Sequence, residues 1–82
     1  MPKVQIYTTA TCVYCKAEKD FLRKHNVEFE ELAADSDPKA AEELFKLSGQ
    51  YAVPFTIVTA EGGTKQQILG FDQPRLTAAL GL

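Results

Sequence analysis

The sequence has little of what would mark a membrane, nucleic-acid-binding or secreted protein. No apolar run approaches the roughly 20 residues that span a bilayer, and Met1-Pro2-Lys3 leads into a strand rather than a signal-peptide core. Nine basic residues stand against eleven acidic ones, so no basic surface is available for a nucleic-acid backbone or an anionic membrane. We therefore expect a cytoplasmic protein with no nucleic-acid or membrane partner.

Cysteine and histidine are also scarce. Two cysteines are too few for the disulfide scaffold of a small secreted protein, so in a reducing compartment the pair is read as reactive or metal-binding. A closed zinc site needs four ligands, and the one histidine, His25, is predicted at the far end of a helix, about 15 Å from Cys15. We predict no metal ligands in the chain, because a zinc ion would have to be shared between chains.

The length bounds the domain organisation. A chain of 82 residues with 45% hydrophobic composition forms one compact unit, and domains of this size bury only about 60% of their unfolded surface. The sequence has no internal repeat, low-complexity tract or dividing linker. We therefore predict a single domain over residues 1–82.

The first half of the chain carries two strand patterns and two helix patterns. Lys3 to Thr8 is predicted as a strand, and Val13 to about His25 as a helix with an exposed Lys16–Asp20 ion pair. The alternation from Val27 to Leu32 favours a strand near a sheet edge. The second helix is predicted to begin at Ser36-Asp37-Pro38 and to stop at Gly49, with an inward face formed by Ala40, Ala41, Leu44 and Leu47.

The second half predicts a hairpin and a short helix. Phe55 to Val58 and Lys65 to Leu69 are the strands, joined at Glu61-Gly62-Gly63, where glycine permits positive φ. Asp72 can cap a last helix that carries Pro74 in its first turn. The element order is β-α-β-α-β-β-α, an α/β fold. Because a β-α-β crossover is right-handed, the first two strands should be parallel within a four-stranded mixed sheet flanked by helices.

The two cysteines form a Cys-x-x-Cys motif around Val13 and Tyr14. The motif follows a strand and precedes a helix, so the Cys12 sulfur is expected at a helix N-terminus, where backbone N–H groups and the helix dipole stabilise a thiolate. Cys15 lies one turn further on the same face, which allows a disulfide to close. We predict Cys12 as the nucleophile and Cys15 as the residue that resolves the mixed disulfide.

Further features follow the motif in a characteristic order. Thr8 to Thr11 precedes the first cysteine, Val53-Pro54 precedes the third strand, and Gly70-Phe71-Asp72 precedes the last helix. With these features the chain resembles a glutaredoxin over essentially its whole length. The resemblance implies a thioredoxin fold of the glutaredoxin-like type and a dithiol–disulfide oxidoreductase.

The resemblance also implies a substrate site around the cysteines. It makes Pro54 a cis proline facing the sulfurs, and gives the backbone of Val53 to an extended peptide or glutathione. It places Thr11 and the Tyr14 ring beside the bound thiol substrate. Gly70, Phe71 and Asp72 match the place where the γ-glutamyl end of glutathione docks, at a helix N-terminus. Without the resemblance, Pro54 would simply open a strand and Asp72 would simply cap a helix.

Several positions depart from the common glutaredoxin pattern. Thr9 stands where many members have lysine, and Gln50 lies where a basic residue is expected, which removes charge-assisted contacts worth about 1.5–3 kcal/mol each. Val13 replaces proline, and Val13 with Gly70-Phe71 resembles the NrdH-redoxins, which supply electrons to ribonucleotide reductase. Their usual Trp-Ser is Ile68-Leu69 here, and Tyr14 is the residue glutaredoxins prefer. The sequence lies between the two subgroups.

The sequence therefore leads to one main hypothesis and two alternatives. The main one is a monomeric dithiol glutaredoxin that reduces protein or glutathione mixed disulfides, with no tightly bound cofactor and with glutathione as a possible electron donor. The first alternative is an NrdH-like redoxin whose partners are thioredoxin reductase and ribonucleotide reductase. The second is an iron–sulfur carrier in which Cys12 and glutathione hold a cluster between two subunits.

Overall fold

A computed structural model describes residues 2–82 as four strands and three helices. In chain order these are β1 (Lys3–Thr8), α1 (Val13–Lys24), β2 (Glu30–Ala33), α2 (Pro38–Ser48), β3 (Phe55–Thr59), β4 (Lys65–Leu69) and α3 (Gln73–Leu80). The observed order is the predicted β-α-β-α-β-β-α. Within residues 2–82, no helix has both the length and the apolar character needed to cross a bilayer.

The four strands form one mixed sheet in the order β2-β1-β3-β4. β1 and β2 are parallel, as a right-handed crossover through α1 requires, while β3 is antiparallel to both β1 and β4. The prediction of a four-stranded mixed sheet with an added hairpin is confirmed.

Each face of the sheet has its own apolar cluster. The first, the α1–α3 cluster, joins α1 and α3 to the sheet and contains Val4, Leu22, Val58, Ile68 and Leu76. The second joins α2 to the opposite face and contains Tyr7, Ala40, Leu44, Phe55 and Ile57. Because strand side chains alternate between faces, adjacent residues of β3 serve opposite clusters. Burial of each large side chain contributes about 1.5–3 kcal/mol, which fixes the helices against the sheet.

The predicted start and end of α2 and the predicted start of α3 are confirmed. An Asp37 carboxylate oxygen accepts the Lys39 N–H at 3.0 Å and begins α2. Gly49 ends that helix with φ of 76°, a left-handed conformation that glycine adopts without a Cβ penalty. Asp72 caps α3 in the same way, through the Arg75 N–H at 3.2 Å.

The predicted start of the second strand is wrong. β2 begins at Glu30 and not at Val27. The Val27 N–H instead donates to the Leu22 carbonyl at 2.9 Å and closes the end of α1. Val27 and Phe29 pack against the α1–α3 cluster, and the Arg23 guanidinium lies 5.5 Å from the centre of the Phe29 ring. The apolar alternation there reflects a packed connection rather than a strand.

Two side-chain predictions also need correction. Leu47 is 42% exposed, because the inward row of α2 runs through Ala40 and Leu44 at helical spacing and leaves Leu47 at its margin. The predicted Lys16–Asp20 pair is not among the ion pairs formed by residues 2–82. The Asp20 carboxylate lies 3.6 Å from Arg23 instead.

Candidate active site

The sheet register brings three loops to one end of the molecule. Tyr7 near the end of β1 pairs with Phe55 at the start of β3, and Phe55 pairs with Leu69 at the end of β4. The segment after β1, the segment before β3 and the segment after β4 therefore lie side by side. These segments contain the predicted cysteine motif, Val53-Pro54 and Gly70-Phe71-Asp72.

Cys12 is the N-cap residue of α1. Its backbone is extended, with φ of −82° and ψ of 109°, and its Sγ accepts the Cys15 N–H at 3.1 Å. The Cys12 carbonyl accepts the Lys16 N–H at 3.3 Å, which begins the helical hydrogen-bond pattern. The sulfur therefore takes the place of the side-chain oxygen of an ordinary cap, where backbone N–H groups and the helix dipole favour a thiolate.

Cys15 has the opposite environment. Its side chain is 1% exposed, whereas Cys12 is half-buried, and both cysteines are reduced. Burial, followed by the hydrogen bond with the Cys12 sulfur, raises the pKa of Cys15 to about 12, against a smaller lowering by the Thr9 backbone. Cys15 is thus a buried thiol at neutral pH, and Cys12 is the sulfur that a substrate can reach.

Backbone contacts hold the loop that carries Cys12. The Cys12 N–H donates to the Thr9 carbonyl at 3.3 Å, and the Ala34 N–H donates to the Thr8 carbonyl at 2.8 Å. The Asp35 carboxylate accepts the Ala10 N–H at 2.9 Å. Asp35 was not identified as a site residue from the sequence, because an acidic residue in a turn is ordinarily a solvated one.

Val53 and Pro54 lie directly before β3. Their peptide bond is cis, as the resemblance implied, and Pro54 is buried while Val53 is half-buried. The Pro54 carbonyl accepts the Gly70 N–H at 2.8 Å, which joins the loop before β3 to the segment after β4. Gly70 has φ of 78°, a conformation that favours glycine.

The segment after Gly70 continues into α3. Phe71 is half-buried in the α1–α3 cluster, with its ring centre 5.9 Å from that of Phe21 in an edge-on arrangement. Asp72 is the N-cap, and its second carboxylate oxygen lies 3.6 Å from Arg75 Nε. The cap interpretation of Asp72 is therefore correct, and it leaves a docking role at the same helix N-terminus compatible with the geometry.

The remaining predicted site residues are presented to solvent. Tyr14 is 68% exposed, and Val13 and Thr11 are exposed on either side of Cys12. An exposed aromatic ring in the first turn of α1 offers a flat apolar surface beside the reactive sulfur.

Glu18 is a second residue at this site that the sequence prediction missed. Its side chain is fully buried on α1, one turn after Cys15, and Thr56 of β3 donates a hydrogen bond to its Oε2. Its Oε1 has no hydrogen-bond partner among residues 2–82. Burial raises the pKa of Glu18 to about 7, although the Thr56 hydrogen bond acts in the other direction.

A signal for Glu18 exists in the sequence. Cys15, Glu18 and Leu22 follow the i, i+3, i+7 spacing of a single helix face, and all three are buried. The charged run from Lys16 to Asp20 hid this spacing, because such runs are usually solvated.

His25 lies outside the site. It is the C-cap residue of α1, at the opposite end of the helix from Cys12, and its ring lies 4.6 Å from that of Phe21. Among residues 2–82, no group of three or more His, Cys, Asp or Glu side chains is placed to hold a metal ion.

Comparison with known sequences gives consistent matches. The family model described as Glutaredoxin matches residues 4–61. A glutaredoxin of Pseudomonas aeruginosa is 44% identical over 54 residues, which make up 66% of this chain and 64% of that protein. Glutaredoxin 3 of Escherichia coli strain K12 is 39% identical over 61 residues, 74% of each chain.

Comparison with solved structures extends the likeness to the whole fold. The glutaredoxin-like protein NrdH-redoxin of Escherichia coli superposes with a TM-score of 0.76 at 28% identity. The match covers 93% of this chain and 92% of that one. The sheet, its three helices and the cis proline segment therefore form a thioredoxin fold of the glutaredoxin-like type.

Proposed function

This chain belongs to the glutaredoxin family, and we propose that it is a dithiol–disulfide oxidoreductase that reduces protein or glutathione mixed disulfides. One observation carries the proposal. The half-buried Cys12 sulfur caps α1 and accepts the Cys15 N–H at 3.1 Å, while Cys15 lies buried one turn below. A sulfur so placed is stabilised as a thiolate and remains open to a disulfide.

The first step is attack by Cys12. Its thiolate attacks one sulfur of the substrate disulfide, and a mixed disulfide forms as the substrate S–S bond breaks. The electron pair goes to the departing sulfur, which leaves as a thiolate. The N–H of Cys15 holds the Cys12 sulfur in place before attack.

The second step belongs to Cys15. Its sulfur attacks Cys12 Sγ, the bond between Cys12 and the substrate breaks, and the second substrate sulfur leaves with the electron pair. The Cys12–Cys15 disulfide that remains is reduced by an external donor. When glutathione is the donor, a glutathione adduct on Cys12 is removed by a second glutathione, and Cys15 is not needed.

The docking surface is proposed from the loops at the same end of the sheet. The backbone of Val53 beside the cis Pro54 can pair with an extended substrate, as an added strand does. Thr11 and the exposed Tyr14 ring would flank the reacting sulfur. The N-terminus of α3, with Gly70, Phe71 and Asp72 before it, would take a carboxylate.

A second candidate concerns the electron donor. Thr9 and the exposed Gln50 supply no cation where glutaredoxins commonly have one, which weakens the case for glutathione. The structural likeness to NrdH-redoxin, whose activity profile is thioredoxin-like, favours thioredoxin reductase as donor and ribonucleotide reductase as acceptor. In either case we propose a monomer that works in the cytoplasm with no tightly bound cofactor.

One comparison tests both candidates. The reduction of a mixed disulfide is followed by NADPH consumption, once with glutathione and glutathione reductase and once with thioredoxin reductase alone. Turnover only with glutathione removes the NrdH-like candidate, and turnover only with thioredoxin reductase removes the glutathione-dependent one. Absence of turnover with both donors overturns the oxidoreductase proposal.

A further inference from the structure

Glu18 is a buried carboxyl group that the two-cysteine mechanism above leaves without a role. It has no exposed surface, one of its oxygens has no hydrogen-bond partner among residues 2–82, and no cation of that stretch lies within ion-pair distance of it. Burial of an ionisable group under these conditions is costly. A glutamate at such a position therefore requires a functional explanation.

The position of Glu18 relative to Cys15 gives that explanation. Residues three apart on a helix have Cβ atoms about 5–6 Å from each other, so the carboxyl group and the thiol share one buried face of α1. The two groups also interact electrostatically, because negative charge on Glu18 contributes to the raised pKa of Cys15. Thr56 fixes Oε2 and leaves Oε1 as the oxygen free to exchange a proton.

Cys15 needs a proton acceptor to act. Burial is the largest cause of the raised pKa of Cys15, and it persists when Cys12 is held in the mixed disulfide, so the thiol does not supply a thiolate at neutral pH unaided. Its attack on the mixed disulfide requires the loss of that proton, and bulk water does not reach a side chain that is 1% exposed. A carboxyl group whose pKa is raised to about 7 is poised to accept the proton and to return it.

We propose that Glu18 is the general base for Cys15, taking the thiol proton as Cys15 resolves the mixed disulfide on Cys12. In this step the Cys15–Cys12 S–S bond forms and the Cys12–substrate S–S bond breaks. The electron pair leaves with the substrate sulfur, and the Cys15 proton passes to Glu18 Oε1 through one water, since Oε1 makes no direct hydrogen bond to any of residues 2–82. When a donor later reduces the Cys12–Cys15 disulfide, Glu18 returns the proton to the departing Cys15 sulfur. The inference rests on the proposed dithiol function.

Within residues 2–82, the ion pairs that involve α1 and the neighbouring elements do not include Glu18. Lys19 Nζ lies 2.8 Å from the Glu31 carboxylate of β2, which also accepts the hydroxyl of Thr8 on β1. On α3, Asp72 pairs with Arg75. On α1, the Cys12 sulfur is hydrogen-bonded to Cys15. The pKa of Glu18 is set by burial, which raises it, and by the hydrogen bond from Thr56 of β3, which lowers it.

The test separates the two sulfur steps with a chromogenic aromatic disulfide, 5,5′-dithiobis(2-nitrobenzoate). Cys12 releases the first thionitrobenzoate, and Cys15 releases the second as it closes the disulfide, so stopped-flow absorbance gives two phases. The Cys15→Ser variant shows the first phase alone and assigns it. The compared proteins are wild type, Glu18→Gln, and the control Asp20→Asn, which removes an exposed carboxylate on the same helix.

The proposal predicts a selective effect on the second phase. In wild type this phase should have an inflection near pH 7, and in Glu18→Gln it should slow by about 100-fold at neutral pH and lose the inflection. The first phase is unchanged, and Asp20→Asn matches wild type in both phases. A second phase that is as fast or faster in Glu18→Gln overturns the proposal, because a carboxylate that only opposes ionisation of Cys15 would speed this step when removed.

Two further measurements test the proposal independently of the Glu18→Gln variant. Thr56→Val removes the hydrogen bond that lowers the pKa of Glu18, so the inflection should move to higher pH with the first phase unaltered. An unmoved inflection contradicts the proposal even where Glu18→Gln does not fold. Absence of the first phase in wild type overturns the dithiol function itself, which distinguishes that failure from the failure of Glu18.

Discussion

Cys12 Sγ accepts the backbone N–H of Cys15 at 3.1 Å, so one cysteine caps the helix turn in which the other is buried. This contact gives the two cysteines different environments, although their side chains are chemically identical. Cys12 gains a donor and retains access to solvent, while Cys15 is desolvated and has a raised pKa. The asymmetry comes from the helix start, since the two positions differ by only one turn.

Serine substitutions should separate the two cysteines. Cys12→Ser should abolish reduction of both protein disulfides and glutathione mixed disulfides, because no other accessible thiol exists. Cys15→Ser should stop reduction of protein disulfides and spare deglutathionylation, which needs one sulfur. Coupled NADPH assays with each substrate measure this. Activity retained by Cys12→Ser would contradict the assignment of the nucleophile.

Asp72 should have a binding role in addition to its cap. Asp72→Ala and Asp37→Ala each remove an N-cap hydrogen bond, so each should lower the free energy of unfolding by about 1 kcal/mol in urea denaturation. Only Asp72→Ala should also raise the KM for a glutathione mixed disulfide. Equal KM values in the two variants would reduce Asp72 to a structural cap.

The Tyr14 ring should contribute to substrate binding without contributing to stability. Its side chain is 68% exposed, so Tyr14→Ala should leave the unfolding midpoint unchanged. Loss of a ring contact worth about 1 kcal/mol should raise KM about fivefold. Tyr14→Phe keeps the ring and should behave as wild type. A KM that is unchanged in Tyr14→Ala would remove this residue from the docking surface.

The raised pKa of Glu18 predicts a pH dependence of stability. Folding raises this pKa from 4.5 to about 7, so its contribution is fully present below pH 4.5 and is lost as pH rises through about 7. The expected loss is about 3 kcal/mol between about pH 4 and about pH 9. Urea denaturation across this range should show the loss in wild type and not in Glu18→Gln.

Glu31 provides a contrast when the same denaturation experiment is extended to lower pH. The hydrogen bonds from Lys19 and then Thr8 lower its pKa, so its stabilising contribution is present above 4.5 and is lost as the solution becomes more acidic. The two glutamates therefore act in separate pH windows. A wild-type curve with no decline between about pH 4.5 and about pH 7 would contradict the assignment of a raised pKa to Glu18.

The sequence was sufficient to predict the order of the elements and most of their ends. Local signals at Asp37, Gly49 and Asp72 determine where helices begin or end, and such signals act within a few residues. The start of β2 was predicted wrongly because the alternation at Val27 and Phe29 is produced by contacts with α1 and α3. Those contacts are tertiary and leave no distinct local pattern.

The candidate site, like the fold, could be predicted from the sequence only in part. Cys12 could be placed at a helix start from the strand before it and the helix after it, and the resemblance supplied Pro54 and Asp72. Glu18 and Asp35 were missed, because their roles depend on Thr56 and Ala10, which come from other parts of the chain. Only the register of the sheet brings these partners together.

The most direct test of the central claim is the alkylation rate of the two cysteines in the folded wild-type protein. Iodoacetamide is added at neutral pH, and peptide mass spectrometry follows each cysteine separately. The account predicts that Cys12 reacts about tenfold faster than free cysteine while Cys15 stays unmodified. Alkylation of Cys12 no faster than free cysteine would contradict the claim that the start of α1 activates its sulfur.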